Sequence, residues 1–494
     1  MARIKSNLQR IFYPSFDGGL NLSVPPESMN RNELKEAVNV EYSPSTGAMT
    51  VRGGLFHHCQ TGIYADSAAA LAGRRGFLIR GHIMYGEQRV ELVRLFTWNR
   101  WENVSGSFTG NGRISACKWD GYYLVASGGK LQRLNDRNTF SLETIEGSPS
   151  RCVQVFVKSG RVGVVTDENE IRFSAVGDCE SWENDPNDDS SAQYLEIGYK
   201  DGMNIDAVVP LSRDLIVFKS PNNEPDKGTV FRVTGDFPDW AVVEAAHNTG
   251  TFSRKSVQAV GNDVFYGTVS GVASLSAVTA YGEIQTTWPD RKVSAALSRI
   301  MSADAELWSV PVKQQLWVKP HAGSQEIWVL DYGRGIWTTF EFPGEVMYAD
   351  GSDDSVYLLI GTSVYEQVDG KTTDTNDTQS VERTITAKMR MGTLLTGNQV
   401  LIRRAFVSLG IQPECRAELR LGDFRMQFSH ETTPDYVNDN NEKVYEADKY
   451  IGGDVKAVTS RRECIVRGWT ATPEVVMTGG GCSLSTMGLE MSEV

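Results

Sequence analysis

The sequence has few of the features that mark disulfide-rich, zinc-binding or membrane-spanning proteins. Its seven cysteines are an odd number at irregular spacings, without a Cys-x-x-Cys pair, which argues against a disulfide framework and a zinc site. No window approaches 18 uninterrupted apolar residues, and the basic opening segment is not followed by an apolar run. We therefore expect assembly in a reducing cytoplasm, without a membrane span.

Sustained basic runs are absent as well. The chain has 62 Asp and Glu against 49 Lys and Arg, a formal charge of −13, which argues against a protein that grips nucleic acid by neutralising phosphates. A negative wall suits a conduit along which duplex DNA slides without sticking, whereas the simpler interpretation of the charge is solubility.

Motifs of the common catalytic classes are missing too. The chain has no G-x-S-x-G elbow, no G-x-x-x-x-G-K-[ST] loop and no H-E-x-x-H motif. The repeated S-x-D-x-G-x-T-W boxes of propeller sialidases do not occur, and the nearest segment, Ser302–Trp308, lacks the glycine. We therefore expect no enzyme activity, no catalytic residue and no cofactor.

What the sequence does contain is a repeated β pattern of apolar strand, polar turn and apolar strand. The hairpins recur about every 40 to 53 residues, beginning near Cys117, Phe156, Val209, Gln258, Val310 and Tyr348, with an earlier member over Ile79–Phe96. Units of this length are typical of propeller blades, because one small sheet cannot bury its faces alone. We predict an all-β protein with a six- or seven-bladed β-propeller. The alternative is a β-sandwich pair or a solenoid.

The pattern also divides the chain into four parts. They are an N-terminal segment with a short helix and a blade-closing hairpin (1–56), the propeller (57–368), a polar linker (369–380) and a C-terminal β-sandwich-like domain (381–494). The helix is predicted in NRNELKEA, with Asn30 or Asn32 as its cap, and the hairpin over Ala37–Phe56. The segment ADSAAALAG (65–73) favours a short helix or loop. The last segment, GGGCSLSTMGLEMSEV, is a strand that docks on a neighbour or a frayed end.

One loop has the spacing of an ion site. Asp185, Asn187, Asp189 and Glu196 match D-x-N-x-D with a Glu at position twelve, as an EF-hand loop requires. Ser190 stands where the sharp turn needs glycine, and the flanking ENDP and YLEIGY do not resemble paired helices. We interpret the loop as a solvated acidic turn between strands and predict no metal site.

Three further groups of side chains have both a functional and a structural interpretation. Six tryptophans suit a sugar-binding groove or, as we predict, the blade cores; they are Trp182, Trp240, Trp308, Trp317, Trp328 and Trp337. His57 and His58 are adjacent, so they point to opposite sides of a strand and cannot bind one metal from the same face. Paired arginines suit an acidic partner or DNA phosphate, or salt bridges with the chain's own acids; the pairs are Arg74–Arg75, Arg403–Arg404 and Arg461–Arg462.

Several segments resemble the tail nozzle, or tail hub, family of short-tailed bacteriophages (podoviruses), also called packaged-DNA stabilisation proteins. The opening FDGGLNLSVPPESMNRNELKEAVNVEYSPSTGAMTVRGG is similar to that family's start. The central region is similar in IRFSAVGDCESWENDP, IGYKDGMNIDAVVPLSRDLIVFK, VFRVTGDF and TGTFSRKSVQAVGNDVFYGTVSGVASLS, and IWVLDYGRGIWTTFEFP resembles a later blade. The resemblance extends over roughly residues 16–367 and rests on diffuse blade-forming patterns.

The resemblance implies a structural virion protein of the viral tail, assembled in the host cytoplasm. It implies a homo-hexameric ring below the portal and its head-to-tail adaptor, which extends the DNA channel, retains packaged DNA and conducts it at ejection. Tail fibres or tailspikes would attach outside, and a tail plug or needle would close the channel below. Double-stranded DNA would pass without sequence-specific binding. The alternative is a glycan-binding or glycan-processing propeller on a tail fibre or cell surface.

Overall fold

The computed structural model of the chain consists almost entirely of β-strands. It describes residues 8–493 except 72–75, 86, 98–99, 136–139, 168, 212, 223, 279–282, 352–354, 376–381, 414, 430–435, 438–442 and 445–455. Within these residues the helical elements are α1 (Ser294–Ile300) and four 3₁₀ turns, Pro26–Ser28, Pro225–Lys227, Arg254–Ser256 and Pro311–Lys313. The strands build a propeller and a C-terminal β domain, and the N-terminal segment contributes to both.

The N-terminal segment supplies six short strands. They are β1 (Leu8–Tyr13), β2 (Gly19–Leu20), β3 (Glu33–Val38), β4 (Val40–Ser43), β5 (Ala48–Val51) and β6 (Gly54–Gln60). Only β6 pairs with a propeller blade through a full ladder, whereas β1, β4 and β5 pair within the C-terminal domain.

The propeller follows as a series of antiparallel meanders. Blade one contains β7 (Tyr64–Ala70), β8 (Phe77–Tyr85), β9 (Gln88–Thr97) and β10 (Arg100–Asn103). Blade two contains β11 (Ser115–Trp119), β12 (Tyr122–Ala126), β13 (Gln132–Asn135) and β14 (Ser141–Thr144). Blade three contains β15 (Cys152–Lys158), β16 (Arg161–Thr166), β17 (Ile171–Phe173) and β18 (Gln193–Leu195). Blade four contains β19 (Asn204–Leu211), β20 (Asp214–Ser220), β21 (Thr229–Thr234) and β22 (Ala241–His247). Blade five contains β23 (Val257–Val260), β24 (Asp263–Thr268), β25 (Gly271–Val278) and β26 (Glu283–Thr287). Blade six contains β27 (Glu306–Val310), β28 (Gln315–Lys319), β29 (Glu326–Asp331) and β30 (Ile336–Glu341). Blade seven contains β31 (Val346–Asp350), β32 (Val356–Ile360) and β33 (Ser363–Val368), and β6 is its fourth strand.

The first strands of the blades surround a central channel. Each contacts the first strand of the next blade, and β31 of blade seven contacts β7 of blade one, so the ring is closed. The described residues thus contain seven four-stranded units. Six are separate sheets, whereas β27–β30 continues into a ten-stranded sheet with the C-terminal domain. The predicted all-β propeller is confirmed.

The hairpin turns form where the sequence predicted them. Asp120 and Gly121 between β11 and β12, and Ser159 and Gly160 between β15 and β16, all have positive φ. This conformation suits a type I′ turn, whose twist matches that of the flanking strands.

The C-terminal domain is a pair of packed sheets. Its strands are β34 (Thr373–Thr375), β35 (Glu382–Thr384), β36 (Thr386–Met391), β37 (Leu394–Ile411), β38 (Arg416–Leu421), β39 (Phe424–Ser429), β40 (Tyr436–Val437), β41 (Lys443–Val444), β42 (Lys456–Ala471), β43 (Pro473–Thr478) and β44 (Cys482–Glu493). One sheet, here named the outer sheet, has the order β4-β5-β44-β37-β42, with β1 on β44. The other has the order β30-β3-β36-β43-β38-β39. Both sheets contribute to one core that includes Met389, Val407, Leu419, Met477 and Leu489, so the predicted sandwich-like domain is confirmed.

The helix predicted in NRNELKEA is wrong, because its residues from Glu33 onward form strand β3. Leu34 and Ala37 are both buried, and a β-bulge between Leu34 and Glu36 brings them to the core despite their spacing of three residues. This spacing imitates the apolar face of a helix. Asn32 does not cap a helix; its side chain donates to Asp17 Oδ1 at 2.9 Å.

Three other expectations differ from the structure. The hairpin β4–β5 joins the outer sheet, and the element that closes the propeller is the following strand β6. Residues 65–70 of the alanine-rich segment belong to β7, the first strand of blade one, and residues 72 and 73 lie outside the described residues. The last segment, containing β44, is neither frayed nor docked elsewhere, because it pairs with β1, β5 and β37 of its own chain. The segment predicted as a linker, residues 369–380, contains the short strand β34. The predicted domain boundaries stay predictions.

A buried ion pair connects the propeller, the N-terminal segment and the C-terminal region. Arg52 is 1% exposed and binds both carboxylate oxygens of Asp374, at 3.0 and 2.7 Å. Its Nε donates to Asn39 Oδ1 at 3.0 Å, and Nη2, which also binds Asp374, donates to the Glu341 carbonyl at 2.8 Å. The guanidinium lies 4.6 Å from the ring centre of Phe342. Because these partners come from different elements, Arg52 fixes how blade six and the N-terminal segment meet the C-terminal region.

Candidate functional site

Side chains that precede the first strands of three blades meet at one entrance of the central channel. Arg113 precedes β11 of blade two, Arg254 precedes β23 of blade five, and Asp304 precedes β27 of blade six. Arg254 Nη2 donates to the main-chain oxygen of Arg113, and Arg113 Nη2 lies 3.2 Å from Asp304 Oδ1. In a ring of seven, blades five and six both lie three places from blade two. These side chains therefore cross the channel entrance.

The charges at this entrance are not evenly matched. Lys255 pairs with Glu306 at 2.7 Å, and Arg113 pairs with Asp304, but no carboxylate among the described residues pairs with Arg254. Burial lowers the pKa of Arg254 to about 10, and the neighbouring Arg113 charge adds to the effect. Burial also lowers the pKa of Lys255, and Glu306 only partly offsets it. The entrance is therefore electropositive and partly desolvated.

A buried carboxyl lies on the first strand of blade four. The first strands of blades one, three, four and seven each contain a β-bulge at a similar place in the strand. In β19 the bulged residue is Asp206, and burial raises the pKa of its carboxyl to about 7, although the positive charge of Lys219 opposes the shift. A bulge aims its side chain away from the regular alternation of the strand.

The raised pKa of Asp206 predicts a pH dependence of stability. In the unfolded chain this carboxyl has a pKa near 3.8, so between about pH 4 and 7 the folded chain binds more protons. The free energy of unfolding should therefore fall as pH rises through this window, by up to about 4 kcal/mol, and level off above it. Asp206→Asn should remove this contribution, so urea unfolding of both proteins from pH 4.5 to 8 should show the variant gaining relative stability. Parallel profiles would contradict the assignment.

The acidic loop with EF-hand spacing is organised by an arginine. The guanidinium of Arg161 donates to the main-chain oxygens of Ser174, Asp189 and Ser191. Asp185 Oδ1 accepts from the Asn187 main-chain N–H at 2.9 Å, as in an Asx turn. The exposed Glu196 follows β18, and no group of three or more His, Cys, Asp or Glu in the described residues is arranged to hold a metal ion. The carbonyl oxygens that face inward in this loop therefore accept hydrogen bonds from the guanidinium of Arg161.

Four of the six tryptophans are blade core, as predicted. Trp308, Trp317, Trp328 and Trp337 are no more than 6% exposed. The indole nitrogen of Trp182, which is partly exposed, donates to the Cys179 carbonyl at 2.7 Å.

Trp240 lines a cavity of about 300 Å³ between blades three and four. Phe173 and Phe237 lie beside it with ring centres at 4.8 and 5.7 Å, and Lys158 and Asp236 supply polar groups. At Trp240 the structure therefore combines aromatic rings with a cavity.

The histidine and arginine pairs have separate surroundings. His57 is buried against Tyr365, with ring centres 5.4 Å apart, whereas His58 Nε2 lies 2.8 Å from Glu366 Oε2. Arg403 donates to Ser492 Oγ at 2.9 Å, and Arg404 lies 3.5 Å from Glu490. The Arg404 contact is an ion pair with one of the chain's own acids, whereas Arg403 contacts a hydroxyl. Arg74 and Arg75 lie outside the described residues, as do the side chains of Arg461 and Arg462.

The outer sheet exposes apolar side chains on its free face. Leu395, Ile465 and Trp469 are 64%, 83% and 60% exposed, and they lie on the neighbouring strands β37 and β42. Phe12 is 48% exposed and packs on Phe406, with ring centres 5.3 Å apart. Strand β42, 16 residues long, is the last strand on its side of the sheet within the part of the chain that the structure describes. Monomeric proteins seldom leave such a face and edge uncovered.

Sequence reasoning missed both the channel entrance and the outer-sheet face. Arg113, Arg254 and Asp304 occupy comparable places just before the first strands, in GRISACKW, SRKSVQAV and ADAELWS. Aligning the repeats by their first strands would have found them. The exposed residues of β42 gave no comparable signal, because an alternating strand has the same pattern at an edge as on a covered face.

Together these elements define a seven-bladed β-propeller that shares a continuous sheet with a C-terminal β domain. None of the described helices is long and apolar enough to cross a membrane. No family model matches the sequence, and no curated protein is significantly similar to it.

Solved structures similar to this chain include other propellers. The WD40 β-propeller domain of Doa1 is 13% identical, over 65% of this chain and 96% of that one, with a TM-score of 0.38. BamB from Moraxella catarrhalis is 12% identical, over 63% and 96%, also with a TM-score of 0.38. Likeness at this level concerns the fold alone.

Proposed function

We propose that this chain is a structural subunit of a phage tail, in which six copies form a nozzle or hub ring below the portal and its adaptor. The ring would extend the DNA channel, retain packaged DNA and conduct it at ejection. Fibres or spikes would attach to its outside, and a plug or needle would close its lower mouth. The segments that resemble the tail nozzle family motivate this proposal.

The observation that carries the proposal is the exposed outer-sheet face. Ile465, Trp469 and Leu395 present apolar surface beside a long strand edge, which a second copy would cover. The continuous sheet from blade six into the C-terminal domain adds support, because a rigid subunit suits a wall that withstands pressure. Side chains cross the propeller's own channel, so in this proposal DNA passes along the ring axis between subunits.

Assembly is the property to measure. We expect the purified protein, alone or mixed with portal and adaptor, to form six-fold rings in negative-stain images and a matching mass by light scattering. Rings on the portal end would support the nozzle function. A monomer or trimer that ignores the portal and binds polysaccharide would overturn it.

Ile465→Lys tests the face directly. If copies meet there, a buried lysine should weaken ring formation by about tenfold or more, since an unpaired charge in an interface core is costly. Tyr199→Lys is the matched control, because Tyr199 is 72% exposed on a propeller loop. The measurement is the concentration dependence of mass by light scattering. Equal behaviour of both variants and the parent would exclude the face from the ring contact.

The second candidate function, a glycan-binding propeller, is favoured by the cavity at Trp240. Its aromatic rings suit the apolar face of a sugar, and the exposed carboxylate of Asp236 offers an acceptor beside the buried Lys158, which already donates to Asp236 and to the Arg213 main-chain oxygen. Trp240→Ala should abolish polysaccharide binding if this function is the correct one, whereas ring assembly should be unchanged.

A further inference from the structure

We propose that the channel entrance binds a small oxyanion, carboxylate or phosphate, between the guanidinium groups of Arg254 and Arg113. This inference is independent of the proposed function, because it concerns the propeller's own channel and needs no ring.

The first reason is the hydrogen bonding of Arg254. A guanidinium has five N–H donors, and in the described residues the Arg254 group has one acceptor, the main-chain oxygen of Arg113. Desolvating a guanidinium without an anionic partner is costly, and proteins normally pair such a group. An oxyanion would accept two parallel hydrogen bonds from the unused side of the fork.

The second reason is the charge balance of the entrance. Arg113, Arg254 and Lys255 carry three positive charges, whereas the carboxylates that pair with them are Asp304 and Glu306. One positive charge therefore has no partner among these residues. The two guanidinium groups repel one another, and an anion between them would turn that repulsion into two attractions.

The third reason is access from solvent. The side chain of Arg113 is 39% exposed and that of Asp304 is 56% exposed, so the paired group lies at the mouth, and Arg254 is partly exposed. An incoming oxyanion can replace or join Asp304 on Arg113 and reach Arg254 without opening the blades. The oxyanion can be a free ion or an acidic side chain of a polypeptide, since the planar carboxylate and the tetrahedral phosphate each offer two oxygens that accept hydrogen bonds from one guanidinium.

Calorimetric titration at constant ionic strength, set with KCl, separates these sources. The probes are inorganic phosphate and N-acetyl-tetraglutamate, each added to the full chain and to Arg254→Met and Arg254→Lys. We expect Arg254→Met to weaken binding at least tenfold and Arg254→Lys to retain part of it. Arg151→Met is the matched control and should change binding less than twofold, because Arg151 also precedes a first strand but already pairs with Asp167 at 2.7 Å.

Each outcome either supports or overturns the proposed oxyanion site. Tighter binding of phosphate points to a free ion, and tighter binding of the peptide points to an acidic segment. Absence of binding to the parent chain, or equal binding by Arg254→Met, would overturn the site. Thermal unfolding in the same KCl buffer, without phosphate or peptide, controls for folding. If Arg254 only holds the blades together, Arg254→Met should unfold at lower temperature and phosphate should not stabilise the parent chain.

Discussion

Arg52→Met is expected to lower the free energy of unfolding by about 3–5 kcal/mol, because it leaves the Asp374 carboxylate buried without its counter-charge. Asp374 is 4% exposed and accepts two hydrogen bonds from Arg52 and one from the Leu55 main-chain N–H at 3.1 Å. The loss also removes the donors to Asn39 and Glu341. Urea unfolding followed by tryptophan fluorescence measures the change as a shift of the midpoint.

Two further variants separate the ion pair from the bulk of the side chain. Arg151→Met removes an exposed pair with Asp167 and should cost no more than about 1 kcal/mol. The double variant Arg52→Met with Asp374→Leu should be more stable than Arg52→Met alone, since no buried charge is left without a partner. A loss below about 1 kcal/mol for Arg52→Met would show that this region relaxes and admits water.

Trp317→Ala is expected to destabilise the propeller by about 3–5 kcal/mol, since it empties a large volume in the core of blade six. The indole is fully buried, packs edge-on to Phe340 with ring centres 5.6 Å apart, and donates to Gln315 Oε1 at 3.0 Å. Because Gln315 would lose this partner as well, the cavity and the unsatisfied amide act in the same direction.

Trp469→Ala is the control for this substitution. Trp469 is 60% exposed on the outer-sheet face, so its loss should change the free energy of unfolding of the monomer by less than about 0.5 kcal/mol. The two variants are compared by the same urea unfolding. Similar losses for both would mean that the exposed face contributes to the stability of a single copy, which would weaken the argument that another copy covers it.

The spacing of turn residues and apolar residues along the chain was sufficient to predict much of the propeller. The turn residues Asp120–Gly121 and Ser159–Gly160 and the alternating apolar strands around them marked the blades, because hairpins form between neighbours in sequence. The burial of Trp308, Trp317, Trp328 and Trp337 followed from the same alternation.

The errors have a common cause. The segment with Leu34 and Ala37 has the apolar spacing of a helix, yet it pairs with β36 across more than 350 residues and a bulge restores the burial of both. The ladder partner of β6 is likewise distant in sequence. Pairing between strands that are distant in sequence depends on which strand edges remain unpaired after the blades form. Local secondary-structure propensity gives no information about it.

The sequence by itself therefore determined that the chain is all-β, built of repeated hairpins closed into a propeller, with a second β domain after it. Only the tertiary structure decided the closed ring of seven, the joining of blade six to the C-terminal sheet through β3, and the meeting of Arg113, Arg254 and Asp304 across the channel. The physical reason is distance along the chain. Hairpins are fixed by adjacent residues, whereas ring closure, sheet fusion and the channel entrance each require groups more than a hundred residues apart to meet.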